Sequence, residues 1–190
     1  MAMIDCFLSI GDIFRMTGKF KSASENYSSA MDLTKGLKEK VTYADAMVGK
    51  GLSVRALGHW KDALSLFSKA KKIYEHEGDR QGIAFVSWAE GGGLRIKGDI
   101  TGAIESFRKS FEMFSKIDQK PGEGYSLCGL GGTCRVAGLF KDSLRYYTSA
   151  NWLFSGLKDT FGTAYSHCGI GNALRMMNDY KGALKHFRNA

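Results

Sequence analysis

Between Trp60 and Ala70 large and small apolar residues alternate at Trp60, Ala63, Phe67 and Ala70, and this i, i+3, i+7, i+10 spacing is one face of a helix. The preceding stretch, residues 42–57, runs without a breaker up to Gly58, where a residue of positive φ can end a helix. The pattern therefore predicts two helices joined by a short turn, and it returns along the whole chain. Glycine recurs at Gly11, Gly51, Gly91, Gly131 and Gly171, a constant spacing of 40 residues. Seven positions later stand Gly18, Gly58, Gly98, Gly138 and Asn178, followed by the large apolar residues Phe20, Trp60, Ile100, Phe140 and Tyr180. A small residue comes next at Ala23, Ala63, Ala103, Ser143 and Ala183, then an aromatic at Tyr27, Phe67, Phe107, Tyr147 and Phe187. The last column is small again, at Ala30, Ala70, Ser110, Ala150 and Ala190.

Such self-similarity predicts five units, residues 2–41, 42–81, 82–121, 122–161 and a shorter 162–190. Short polar turns are expected between them, at Glu77-Gly78-Asp79-Arg80 and Asp118-Gln119-Lys120-Pro121. One such unit cannot bury its apolar face alone, so the expected fold is all-α, the units stacking as a single right-handed solenoid over residues 1–190. A lone proline, Pro121, suits uninterrupted helices. The 24 glycines would each cost a helix roughly 1 kcal/mol relative to alanine, so their placement must serve packing.

Glycine in the first helix, glycine seven residues later, then aromatic, alanine, aromatic, alanine resembles the tetratricopeptide repeat over the whole chain. The usual unit has about 34 residues. Segments such as Gly171-Asn172-Ala173-Leu174-Arg175 and Asp179-Tyr180-Lys181-Gly182-Ala183-Leu184 look like the longer 40-residue subtype found in spindle-orientation adaptors and bacterial proteins. The resemblance implies a protein-binding scaffold or adaptor that holds a partner peptide or helix in a concave groove. It also implies that ligand contacts come from the first-helix face opposite the core. In the second unit that face holds Asp45, Val48, Gly49 and Leu52; in the third Phe85, Trp88, Ala89 and Gly92. In the fourth it holds Tyr125, Cys128, Gly129 and Gly132; in the fifth Tyr165, Cys168, Gly169 and Asn172. Trp88, Tyr125 and Tyr165 would stand over small residues and receive an apolar or extended peptide; alternatively they pack between neighbouring first helices. Only Asn172 matches the asparagine that family members use to grip a peptide backbone, since Asp12, Leu52, Gly92 and Gly132 fill the equivalent positions.

One arginine per unit, Arg15, Arg55, Arg95, Arg135 and Arg175, falls near the end of each first helix. This column reads either as a basic ladder for carboxylates of an acidic partner or as arginines complementing a helix C-terminus. The formal net charge of +8 raises nucleic acid as a partner. The lysines and arginines cluster at Lys35, Lys38 and Lys40, at Lys69, Lys71 and Lys72, and at Arg108 and Lys109, mostly on second helices and turns, where a solvated outer face explains them.

The glycine runs Gly91-Gly92-Gly93 and Gly129-Leu130-Gly131-Gly132 fall inside expected helices and so cannot form a phosphate loop. His59, His76, His167 and His186 occupy four different columns, and Cys128 and Cys168 read as small buried hydrophobes. No metal, cofactor or catalytic set is therefore expected, and the chain is read as a binding protein rather than an enzyme. Cys6, Cys128, Cys134 and Cys168 form no CxxC pair, which suits a reducing cytoplasm. No run approaches the ~20 apolar residues of a membrane span, and the first residues lack the basic stretch of a secretory signal. Neither terminal helix shows a polar cap, which suggests self-association through the ends or a segment of a longer protein, with a structural or a regulatory and sensory role as the alternatives to partner binding.

Overall fold

The computed structural model describes residues 2–36 and 39–190, so Lys38 of the first basic cluster lies outside the described residues. Among these residues the chain forms ten α-helices and no strand. They group into two compact units, one reaching to Lys97 and the other starting at Gly98. The first contains α1 (Ala2–Met16), α2 (Phe20–Thr34), α3 (Lys40–Ala56), α4 (Trp60–Glu77) and α5 (Arg80–Lys97). The second contains α6 (Ile100–Lys116), α7 (Lys120–Val136), α8 (Phe140–Leu157), α9 (Thr160–Met176) and α10 (Tyr180–Arg188).

The turn within each repeat sits where the second glycine column places it. Gly58 has φ +92, and its equivalent Asn178 takes φ +66, a left-handed conformation that asparagine tolerates better than most residues. The turns between repeats are shorter than the sequence suggests. Glu77 and Arg80 are already helical, leaving only Gly78 and Asp79 between α4 and α5. Pro121 likewise stands in the first turn of α7, where a missing N–H leaves no hydrogen bond unmade. Aspartates start several helices: Asp99, Asp159 and Asp179 accept from the backbone N–H of Gly102, Gly162 and Gly182 at 3.0, 2.8 and 2.9 Å. Each such cap contributes about 0.5–2 kcal/mol.

The core is built from rings laid on glycines. Tyr27 packs over Gly11 of α1 and Gly49 of α3, and Tyr147 over Gly131 of α7 and Gly169 of α9. A second aromatic column, Tyr74, Phe114 and Phe154, covers Gly82, Gly122 and Gly162 in the same way. At the one equivalent place where the glycine is Thr42, the ring is replaced by Thr34, so volume is conserved across the interface. Between the rings, Ala23, Ala30, Ala63, Ala70, Ala103 and Ala150 have no accessible surface, and this lets the helices approach closely.

Candidate binding cleft

In the first unit the first helices frame a cleft of about 430 Å³. Leu8, Asp12 and Arg15 come from α1, Asp45, Val48, Gly49 and Leu52 from α3, and Phe85 from α5. Tyr27 and Tyr74, rising from α2 and α4, complete the lining. The whole second-repeat face named from the family resemblance thus lies in one cavity. Helix periodicity explains this: Asp45, Val48, Gly49 and Leu52 follow i, i+3, i+4, i+7 and share one side of α3.

Two tyrosine hydroxyls fix two carboxylates. Tyr27 donates to Oδ1 of Asp12 at 2.7 Å, and Tyr74 donates to Oδ1 of Asp45 at 2.6 Å. Arg15 joins the first pair, with Nη2 3.0 Å from Oδ1 of Asp12 and Nε donating to the Tyr27 hydroxyl at 3.3 Å. Burial, reinforced by Asp12, pushes the Tyr27 phenol up to about 12. Burial and the charge of Asp45 raise that of Tyr74 further. Both phenols therefore remain donors at neutral pH. Asp45 is exposed to solvent, yet partial burial raises its pKa.

The other candidates divide between packing and exposure. Leu52 is 6% exposed and belongs to the core of the first unit as well as to the cleft wall. Phe85 is 39% exposed and stacks on half-buried Trp88, ring centroids 5.7 Å apart. Arg55 lies against α5: its guanidinium is 5.7 Å from the Trp88 ring centre, Nη1 donates to the Ala89 carbonyl at 3.2 Å, and Gly92 makes room beneath it. Arg15 and Arg55 thus use donors inside the chain, whereas Arg95 and Arg135 are half-buried and Arg175 is exposed. In the second unit Tyr125 packs on Phe154 at 5.0 Å, but Tyr165 is 47% exposed and stacks on the still more exposed Phe161. The Asn172 amide donates to the Cys168 carbonyl of its own helix at 3.0 Å.

Of the basic clusters, Lys69, Lys72, Arg108 and Lys109 are exposed on second helices, and Lys71 is paired with Glu90 at 2.6 Å. Cys128 is buried, its thiol pushed up to about 12 by desolvation, and so is unreactive near neutral pH. Packing brings together one pair that the columns keep apart. His167 of α9 and His186 of α10 face each other with Nδ1 atoms 3.0 Å apart. The antiparallel register set by Phe187 on Gly171 carries His167, one turn earlier on α9, to the last turn of α10. Knowing that register, the sequence would have revealed the pair. Among the described residues no three histidine, cysteine or acidic side chains converge as metal ligands.

Burial, then the charges of His167 and Lys185, lowers the pKa of His186 below the ordinary histidine value. The unfolded chain therefore binds its proton more readily than the folded one, and stability rises with pH through this region. The stabilisation is complete above the unfolded pKa of about 6.5 and is lost as pH falls through the lower folded value. Thermal melts at pH 7.5 and 5.0 should show a lower melting temperature at the acid end, and His186→Gln should reduce that difference. An equal pH dependence in the variant would place its origin elsewhere.

No model of a known protein family matches this chain, and no curated protein sequence does. Solved structures match its fold closely. A Rap protein complexed with competence and sporulation factor superimposes with a TM-score of 0.88 at 12% identity, covering 96% of this chain and 51% of that one. The Rap conjugation gene regulator of plasmid pLS20, in complex with the Phr* peptide, gives 0.84 at 17% identity, with the same coverage of 96% and 51%. The nearly identical TPR-like repeats of a putative kinesin light chain from Podosopora anserina give 0.70 at 11%, covering 98% of this chain and 92% of that one. This chain spans about half the length of the two Rap proteins. The fold is an all-α helical repeat of the tetratricopeptide type. No helix among the described residues is long and apolar enough to cross a membrane.

Proposed function

We propose that this chain is a binding module, without catalytic activity of its own, that holds a partner peptide or helix on its first-helix face. The observation that carries the proposal is the α1–α3–α5 cleft, lined by the apolar residues Leu8, Val48, Leu52 and Phe85 together with carboxylates held by tyrosine hydroxyls. Preformed, mostly apolar cavities with a few oriented polar groups are the usual form of binding sites. The Rap regulator of pLS20, which shares the fold, was solved with a peptide bound, and this supports the same use here. In the second unit the counterpart face carries Phe161 and Tyr165, whose exposed rings are a second contact surface in this proposal. The free thiols of Cys6, Cys128, Cys134 and Cys168 favour a reducing, cytoplasmic setting.

Heptapeptides selected from a random library on the full chain should lose about tenfold or more in affinity for Phe85→Ala, because exposed aromatics at the centre of an interface dominate binding. Trp152→Ala, which removes a side chain 79% exposed on the second helix α8, should leave affinity unchanged. Fluorescence anisotropy measures both. Equal losses in the two variants, or none in either, would remove the cleft from the binding surface.

A further inference from the structure

The cleft carries a charge opposite to that of the chain. The whole sequence has a formal charge of +8, yet the cleft lining sets two carboxylates, Asp12 and Asp45, against the single guanidinium of Arg15. Arg15 pairs with Asp12. Asp45 has no counter-ion among the described residues; its hydrogen-bond donor is the neutral Tyr74 hydroxyl. A third acid, Asp79 in the turn between α4 and α5, acts electrostatically on both Asp45 and Tyr74 and adds to the negative field there. Arg55, the column arginine of α3, reaches to the Ala89 carbonyl and the Trp88 ring and is not among the residues that line the cavity.

Geometry narrows the ligand further. In both carboxylates the hydrogen bonds fall on Oδ1, leaving Oδ2 of Asp12 and Asp45 without a donor among the described residues. The tyrosines hold these carboxylates in place before any ligand arrives, which reduces the ordering cost of binding. Beside them stand Leu52 and Phe85, an apolar surface for an aliphatic stem. A volume of about 430 Å³ is near the lower end of ligand pockets, roughly 300–1,000 Å³, and has room for one or two side chains.

Resting on the binding role proposed above, we infer that this cleft selects peptide partners by one cationic group, the ammonium or guanidinium of a lysine or arginine side chain or the N-terminal ammonium, seated against Asp45 with Asp12 in the same lining. The partial burial of Asp45 supports this, because an approaching cation restores to its carboxylate the stabilisation that desolvation removed. An acidic partner, by contrast, would meet two carboxylates and an arginine already bonded within the chain.

The test is a random heptapeptide library, C-terminally amidated, in two arms with acetylated and with free amino termini, screened against the full chain and Asp45→Asn. Asparagine keeps an oxygen to accept from Tyr74, so the melting temperature should be unchanged. The expected result is enrichment of lysine or arginine at one position in both arms, or of binders in the free-amine arm alone when the ammonium terminus is the group seated. Binding should weaken at least tenfold in Asp45→Asn. It should weaken equally on replacing the peptide's cationic residue by norleucine, a change that leaves the protein untouched. Binders without a cation, or with acidic residues in its place, would overturn the inference and leave the binding module intact. If neither arm yields a binder, both fall together.

Discussion

Gly129→Val should destabilise the second unit by about 3 kcal/mol and lower its melting temperature by about 10 °C or more. A side chain at this position of α7 would enter the ring of Phe107, and even its first carbon would stand 2.8 Å from Phe107 Cγ. The ring is 2% exposed and has nowhere to retreat. Valine gains a few tenths of a kcal/mol in helix propensity over glycine, far less than the overpacking costs. Gly156 provides the opposite case. It lies near the end of α8 with open space where a Cβ would point, so Gly156→Ala should stabilise by about 0.5–1 kcal/mol. Pairing Gly129→Ala with Phe107→Leu should recover part of the single-variant loss, as contacting sites couple. The chain already holds such an exchange in Thr34 and Thr42. Urea titration measures all of these, and additive effects at Gly129 and Phe107 would contradict ring-on-glycine packing.

Phe154→Ala should cost about 3–5 kcal/mol, the range for emptying a buried aromatic site. The Phe154 side chain has no accessible surface, covers Gly124 of α7 and Gly162 of α9, and supports the Tyr125 ring. Both neighbouring helices, α7 and α9, lose their common filler at once, and the glycines on both sides offer no side chains to collapse into the void. Tyr165→Ala, only about one turn from Gly169, should change stability by less than about 0.5 kcal/mol because its ring is already 47% exposed. Similar losses in the two variants would mean that the α9 face is part of the core rather than a surface.

Much of the fold is visible in the sequence because a 40-residue period displays each packing decision five times. The helix read over 42–57 runs from Lys40 to Ala56, and the positive φ of Gly18, Gly58, Gly98, Gly138 and Asn178 falls on a column readable from spacing alone. The site was less legible. Its cleft face follows from helix periodicity, but its polar pairs join different columns: Asp12 with Tyr27, and Asp45 with Tyr74. These pairings depend on how far one helix slides along the next, a distance that intrahelix spacing does not encode. The arginine column shows the same limit. Arg15 turns back to Asp12 and Tyr27 while Arg55 reaches across to Ala89, because a long side chain chooses its partner over several ångströms of free reach.

The most direct measurement is a titration of the ¹⁵N-labelled chain with a library-selected heptapeptide, following backbone amides in two-dimensional spectra. Binding on the first-helix face predicts shifts at Asp12, Gly49, Leu52 and Phe85, with Lys69 and Lys72 on the outer face of α4 unmoved. Shifts confined to the second helices, with Gly49 and Leu52 unchanged at saturation, would contradict the account.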